Sequence, residues 1–173
     1  MKLFKISTVI LIPLLFLSGV KPDYVKVTKD VKLVGSYSLR STGTINSNFT
    51  GDIVFETSEH NSNENESFST LKLKLVDYNH SMDFLISKKN ASHKISPGTY
   101  KVTNDSDGFL NYFEGVFGYA NIDESGEMPF FTSEGEIKIK YIDSKTVHGF
   151  LKIDLDNANN ESIHIEGNFI AKK

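Results

Sequence analysis

The chain has 173 residues, 19 basic against 22 acidic side chains, a net charge of −3, and neither cysteine nor tryptophan. That length suits one ordinary domain with enough chain to bury a core. The composition excludes disulfide staples and a cysteine nucleophile. Its slight acidity and dispersed lysines argue against nucleic acid or an anionic membrane surface as the main partner.

Lys2 and Lys5 precede an apolar run from Ile6 to Leu17 that contains Pro13. The run is right for a signal h-region and too short for the ~20 residues of a membrane-spanning helix. Pro13 also removes a backbone donor that an anchor helix needs. Ser18 and Gly19 supply small residues for cleavage after Gly19. Leu17-Ser18-Gly19-Val20 has the form of a bacterial lipobox with Val at the obligatory Cys, so no thioether anchor can form. The expected organisation is a signal peptide (1–20), a linker (21–30) and a single all-β domain (31–173). The alternative for the first segment is an uncleaved N-terminal anchor.

Period-two alternation then takes over. Val31, Leu33, Gly35, Tyr37 and Leu39 predict a first strand, and Phe49, Gly51, Ile53 and Phe55 a second. Ser58 to Ser67 is polar and predicts a loop. Leu71, Leu73 and Leu75 alternate with Lys72 and Lys74, and Met82, Phe84 and Ile86 follow after a turn at Asp77 to His80. Ser96-Pro97-Gly98 turns the chain into an extended stretch over Thr99 to Thr103.

From Thr103 to Glu114 the chain can be set on a twelve-residue calcium loop: Asp105, Asp107 and Glu114 supply hard oxygens around the sharp turn at Gly108. Thr103 stands where that loop wants Asp, and a polar hairpin turn is the plain alternative. These three acids are the candidate Ca²⁺ ligands, and no other cofactor is implied. Phe109 to Ala120 fits both helical and strand periods. Gly115 and Gly118 each disfavour helix by about 1 kcal/mol, so a strand is expected. Phe109, Tyr112, Phe113, Phe117, Tyr119, Phe130 and Phe131 crowd around the acidic loop from Ile122 to Met128. They are read either as core at strand spacing or as a ligand-binding wall or sugar-stacking platform.

Ile137, Ile139 and Tyr141, then Val147 to Leu155, then Ile163 to Ala171, separated by turns at Asp143-Ser144-Lys145 and Asp156 to Glu161, predict a three-strand meander. Outward lysines (Lys72, Lys74, Lys138, Lys140, Lys152) suit solvated faces and discourage edge pairing. Eight or nine strands in all predict an antiparallel β-sandwich or a closed β-barrel.

The sequence Gly135-x-Ile137-x-Ile139, Val147-x-Gly149-x-Leu151 and Ile165-x-Gly167-x-Phe169, preceded by Pro97-Gly98-Thr99-Tyr100, resembles small exported bacterial proteins of uncharacterised function. The resemblance covers Ile95 onwards. It implies an all-β fold, lipocalin-like in outline, and transfers no catalytic residues. Gly35-Ser36-Tyr37 stands where a lipocalin would carry Gly-x-Trp.

No hydrolase elbow or H-x-H spacing is present, and His60, His80 and His93 fall in expected loops. Hairpin register places His148 opposite Phe169, away from His164. Asp77 with Asp83, or Glu134 with Glu136, can be posed as glycosidase carboxylates, but the second pair is i, i+2 on one strand face, where acid and base roles do not separate. Asn-x-Ser/Thr sequons stand at Asn48, Asn65, Asn79, Asn90, Asn104 and Asn160; they mark exposed turns in a glycosylating host and are idle in a bacterial one. The reading is a non-enzymatic exported protein, periplasmic or secreted, that binds a ligand or serves the envelope. The alternative is a calycin-type carrier of a small apolar ligand.

Overall fold

In the computed structural model the described residues are 35–61, 67–89, 94–103, 113–126 and 128–173. The expected signal peptide and linker, Val31 and Leu33, His93, and the site residues Asp105, Asp107, Phe109 and Tyr112 lie outside them. Alternation is strictest in β3 (Ser67–Val76), where Leu71, Leu73 and Leu75 are buried while Lys72 and Lys74 are exposed. Burying side chains of that size is worth about 1.5–3 kcal/mol each, which fixes the register, because a one-residue slip would turn every leucine to solvent.

The other strands are β1 (Gly35–Gly43), β2 (Asn48–Asn61), β4 (His80–Lys89), β5 (Gly98–Lys101), β6 (Gly115–Ile122), β7 (Phe130–Ile142), β8 (Thr146–Asp156) and β9 (Ser162–Lys172). One 3₁₀ turn, Asp123–Ser125, occupies the acidic loop. Eight of these strands close into an antiparallel barrel in the order β1-β2-β3-β4-β6-β7-β8-β9, with β9 returning to β1. Closure resolves the choice between sandwich and barrel. The β7–β8–β9 meander forms with both expected turns.

β6 and β7 share only two ladder pairs, Tyr119 opposite Phe131 and Ala120 opposite Phe130. Further along, β5 takes over as the partner of β7, pairing Gly98–Lys101 with Ile139–Glu136, while Val102 bridges back to Val116 of β6. β5 is thus a wedge in the seam where β6 and β7 part.

Three expectations change. β2 continues through Ser58 to Asn61, where a loop is expected, because its polar residues pair with Ser67 to Thr70 of β3 and their backbone groups are satisfied there. His148 lies opposite Ile170, not Phe169, because the β8–β9 turn centres one half-step later. On β6 the inward residues are Val116, Gly118, Ala120 and Ile122, so Phe117 and Tyr119 face outward. The reason is volume: the ring of Phe84, opposite Gly118, already fills the interior, and a Cβ on Gly118 would sit 2.4 Å from its Cδ1.

The interior holds one core cluster that includes Phe84, Phe130 and Phe169, all but fully buried. Two loop isoleucines join it from opposite ends. Ile45 enters from the loop between β1 and β2, and Ile95 from the turn ahead of β5, beside the β7–β8 turn. Ser41 donates from Oγ to the Ile45 carbonyl at 2.8 Å. At the far end the Tyr100 hydroxyl donates to the Ser96 carbonyl (2.7 Å) and accepts from the Ser96 N–H (3.2 Å), clamping the turn that carries Ile95.

Candidate binding surfaces

Two surfaces stand out, one at the Ile95 end of the barrel and one on its outer wall. The first is a cleft of about 910 Å³. Its walls are Thr57, Ser58 and Glu59 of β2, Ser69 and Thr70 of β3, the Lys94–Pro97 turn, and Ile142 to Ser144 at the end of β7. Ile95 is buried and Ile142 packs against the core, so the floor is apolar. Glu59, Lys94 and Asp143 give it a charged rim. The Tyr141 hydroxyl donates to Asp143 Oδ2 at 2.6 Å, and with the Lys145 N–H it holds that carboxyl below the usual carboxylate range.

Ser69 shares the inward face of β3 with Leu71 and is 2% exposed. Its Oγ is buried with no hydrogen-bond partner among the described residues. A buried hydroxyl without a partner costs about 1–3 kcal/mol, and Ser69 carries that cost just beneath the cleft wall.

The outer surface crosses β3, β4, β6 and β7. Register sets two rows on it: Lys74, Asp83, Tyr119 and Phe131, and beside them Glu56, Lys72, Leu85 and Phe117. The rings of Phe117 and Phe131 stack with centroids 6.4 Å apart and planes 30° apart, and Tyr119 leans on Phe131 at 6.5 Å. Phe131 is 47% exposed. The Tyr119 hydroxyl donates to Asp83 Oδ2 (3.3 Å), which Lys72 Nζ also meets at 3.2 Å. Partial burial and the Asp83 charge push the Tyr119 phenol up, so it stays a donor. Next to this pair, Ser58 Oγ links Thr70 Oγ1 (2.7 Å) and His60 Nε2 (3.0 Å). A groove of about 340 Å³ runs along these groups.

The sequence-expected site residues are therefore divided. Phe117, Tyr119 and Phe131 come together on the outer wall, whereas Phe113 and Phe130 are buried. Glu114 is exposed just before β6. Among the described residues no three His, Asp or Glu side chains gather to hold a metal ion. Glu134 and Glu136 face Asp154 and Lys152 across the sheet, with His164 Nδ1 bonded to Asp154 Oδ1 at 2.5 Å.

His80 corrects the expectation of a solvated loop histidine. It opens β4, is 5% exposed, and packs on Phe49 with ring centroids 4.6 Å apart. Sequence reasoning also passed over Ser69, Ile95 and Ile142. An isoleucine directly before Ser-Pro-Gly was the available signal that this turn folds inward.

No family model, curated protein or solved structure matches the chain, and the functional reading rests on the chemistry of these two surfaces.

Proposed function

We propose that the protein is a non-catalytic, exported binding domain whose ligand is a small amphipathic molecule seated in the cleft beside Ile95. The observation that carries this reading is the cleft itself, an apolar floor at Ile95 and Ile142 beneath a rim of exposed charges at Glu59, Lys94 and Asp143. A partly apolar concavity with polar groups at its rim, within the common ~300–1,000 Å³ range, is the usual form of a small-molecule site. A carrier with its ligand inside the barrel would need space that Phe84, Phe130 and Phe169 occupy, so the cleft supports the reading better than the lumen.

The test is fluorescence titration with anilinonaphthalene sulfonate, an apolar ring system bearing one charged head. Saturable enhancement is expected. It should weaken roughly tenfold in Ile142→Glu, which puts an uncompensated charge on the floor. A titration identical in wild type and Ile142→Glu refutes the site.

A further inference from the structure

The outer wall carries a second and different kind of surface. In β6 the usual distribution is inverted: the small residues Gly118 and Ala120 point inward, and the large rings of Phe117 and Tyr119 point out. Core packing accounts for the small inward residues, since Phe84 and Phe130 fill the interior beneath them, but it does not require large rings on the outer face. Leu85 on β4 and Phe131 on β7 extend the same apolar face to both neighbouring strands. Beyond Leu85 the face turns polar within one strand, to the Lys72–Asp83 pair. We infer that this face is a saccharide-binding platform, on which the C–H face of a neutral pyranose rests against Phe117 and Phe131 while its hydroxyls reach Asp83, Lys72 and Tyr119.

Several observations select that ligand class. The half-exposed ring of Phe131, held in place by Phe117 and Tyr119, offers an aromatic surface to a flat, weakly polar partner. The flanking groups cancel in charge, Lys72 against Asp83, which suits a ligand rich in hydroxyls and poor in charge. A carboxylate and an ammonium side by side can accept from and donate to adjacent hydroxyls of one ring. The groove beside Phe117 and Tyr119, about 340 Å³ and lined by Lys72 and Asp83, falls at the lower end of small-molecule sites. An added peptide strand is disfavoured at β3 and β4, because both have two paired edges inside the barrel.

Saturation-transfer NMR of the full chain with three neutral probes (cellohexaose, maltohexaose and chitohexaose) tests the inference. Transfer to pyranose ring protons is expected for at least one. Its apparent affinity should fall roughly tenfold in the Phe117→Ala/Phe131→Ala double variant and remain unchanged in Ile142→Glu, which keeps this site separate from the cleft. Should the double variant fail to fold, Phe131→Ser removes the half-exposed ring alone, and Asp83→Asn breaks the ion pair at constant size; either should weaken the same signal. Absence of transfer from all three probes overturns the inference. So does transfer that survives Phe131→Ser and Asp83→Asn, and so does self-association that Phe131→Ser abolishes, which would make the face a protein contact.

Discussion

The Tyr37 hydroxyl lies 2.6 Å from His80 Nε2, across 43 residues of sequence, and His80 Nδ1 lies 2.8 Å from Asn79 Oδ1. The amide oxygen can only accept, so Nδ1 carries the proton, and Nε2 is left to accept from the phenol. All three groups are thus satisfied with the histidine neutral. Burial lowers the His80 pKa below its ordinary value and raises that of Tyr37, in each case disfavouring the charged form.

The sign of the pH dependence follows. The unfolded chain protonates His80 at its ordinary pKa near 6.5 while the folded chain resists, so the unfolded state gains protons first as pH falls. Stability from this group is present above about pH 6.5 and is lost progressively below it. At the alkaline end, unfolded Tyr37 ionises from about pH 10 while the folded phenol does not, and stability falls as pH rises past that point. Urea melts at stepped pH should show both slopes, and His80→Gln should flatten the acid one. An acid slope unchanged by that substitution would assign it to other groups.

Removing the phenol oxygen has a separate cost. Tyr37→Phe leaves His80 Nε2 buried without its donor and should destabilise the fold by about 1–3 kcal/mol at neutral pH. Equilibrium unfolding measures it directly, and a neutral result would mean that solvent reaches the ring.

Ser69→Ala should behave in the opposite way. The hydroxyl is buried and unpartnered, so deleting it removes a desolvation penalty and stabilises the free protein by about 1 kcal/mol. The melting temperature should rise. A lower melting temperature would show that the hydroxyl already has a partner.

Gly149→Ala should be severe. A Cβ there would lie 2.3 Å from Phe169 Cζ and 2.7 Å from the Lys138 carbonyl oxygen, contacts that backbone and a buried ring cannot relieve cheaply. A loss of about 1–3 kcal/mol is expected by thermal or urea melts. The paired substitution Phe169→Leu in the same background should recover part of it.

Tyr100→Phe should loosen the turn that holds Ile95. It removes both hydrogen bonds to Ser96 and should cost about 1 kcal/mol. Amide exchange around Ile95 and Ser96 should accelerate more than exchange in β8, whereas uniform acceleration would mean that the turn opens only with the whole barrel.

The strands were legible where one face is buried and the other wet: Leu71 to Leu75, and the meander that ends at Ala171, needed nothing beyond alternation and turn chemistry. Closure was not legible, because Tyr37 opposite Phe169 is a pairing between distant segments that no local pattern encodes. The face of β6 was misread for a related reason. Phe117 and Tyr119 look like core until the volume claimed by Phe84 is known. His80 was taken for a turn residue because its partner Tyr37 lies on another strand. The outer platform was half visible, as aromatic density without an orientation, and the cleft was not visible at all.

The pairing of β1 with β9 also sets a condition on timing. β9 lies between β1 and β8, so the ring stays an open ribbon until its final strand, Ser162–Lys172, is available to clasp the first. In a chain made from its N-terminus, β1 can pair β2 early, but its other edge stays open until β9 follows. Closing the ring therefore rests on the pairing between its most distant strands, with no cysteine to lock it afterwards.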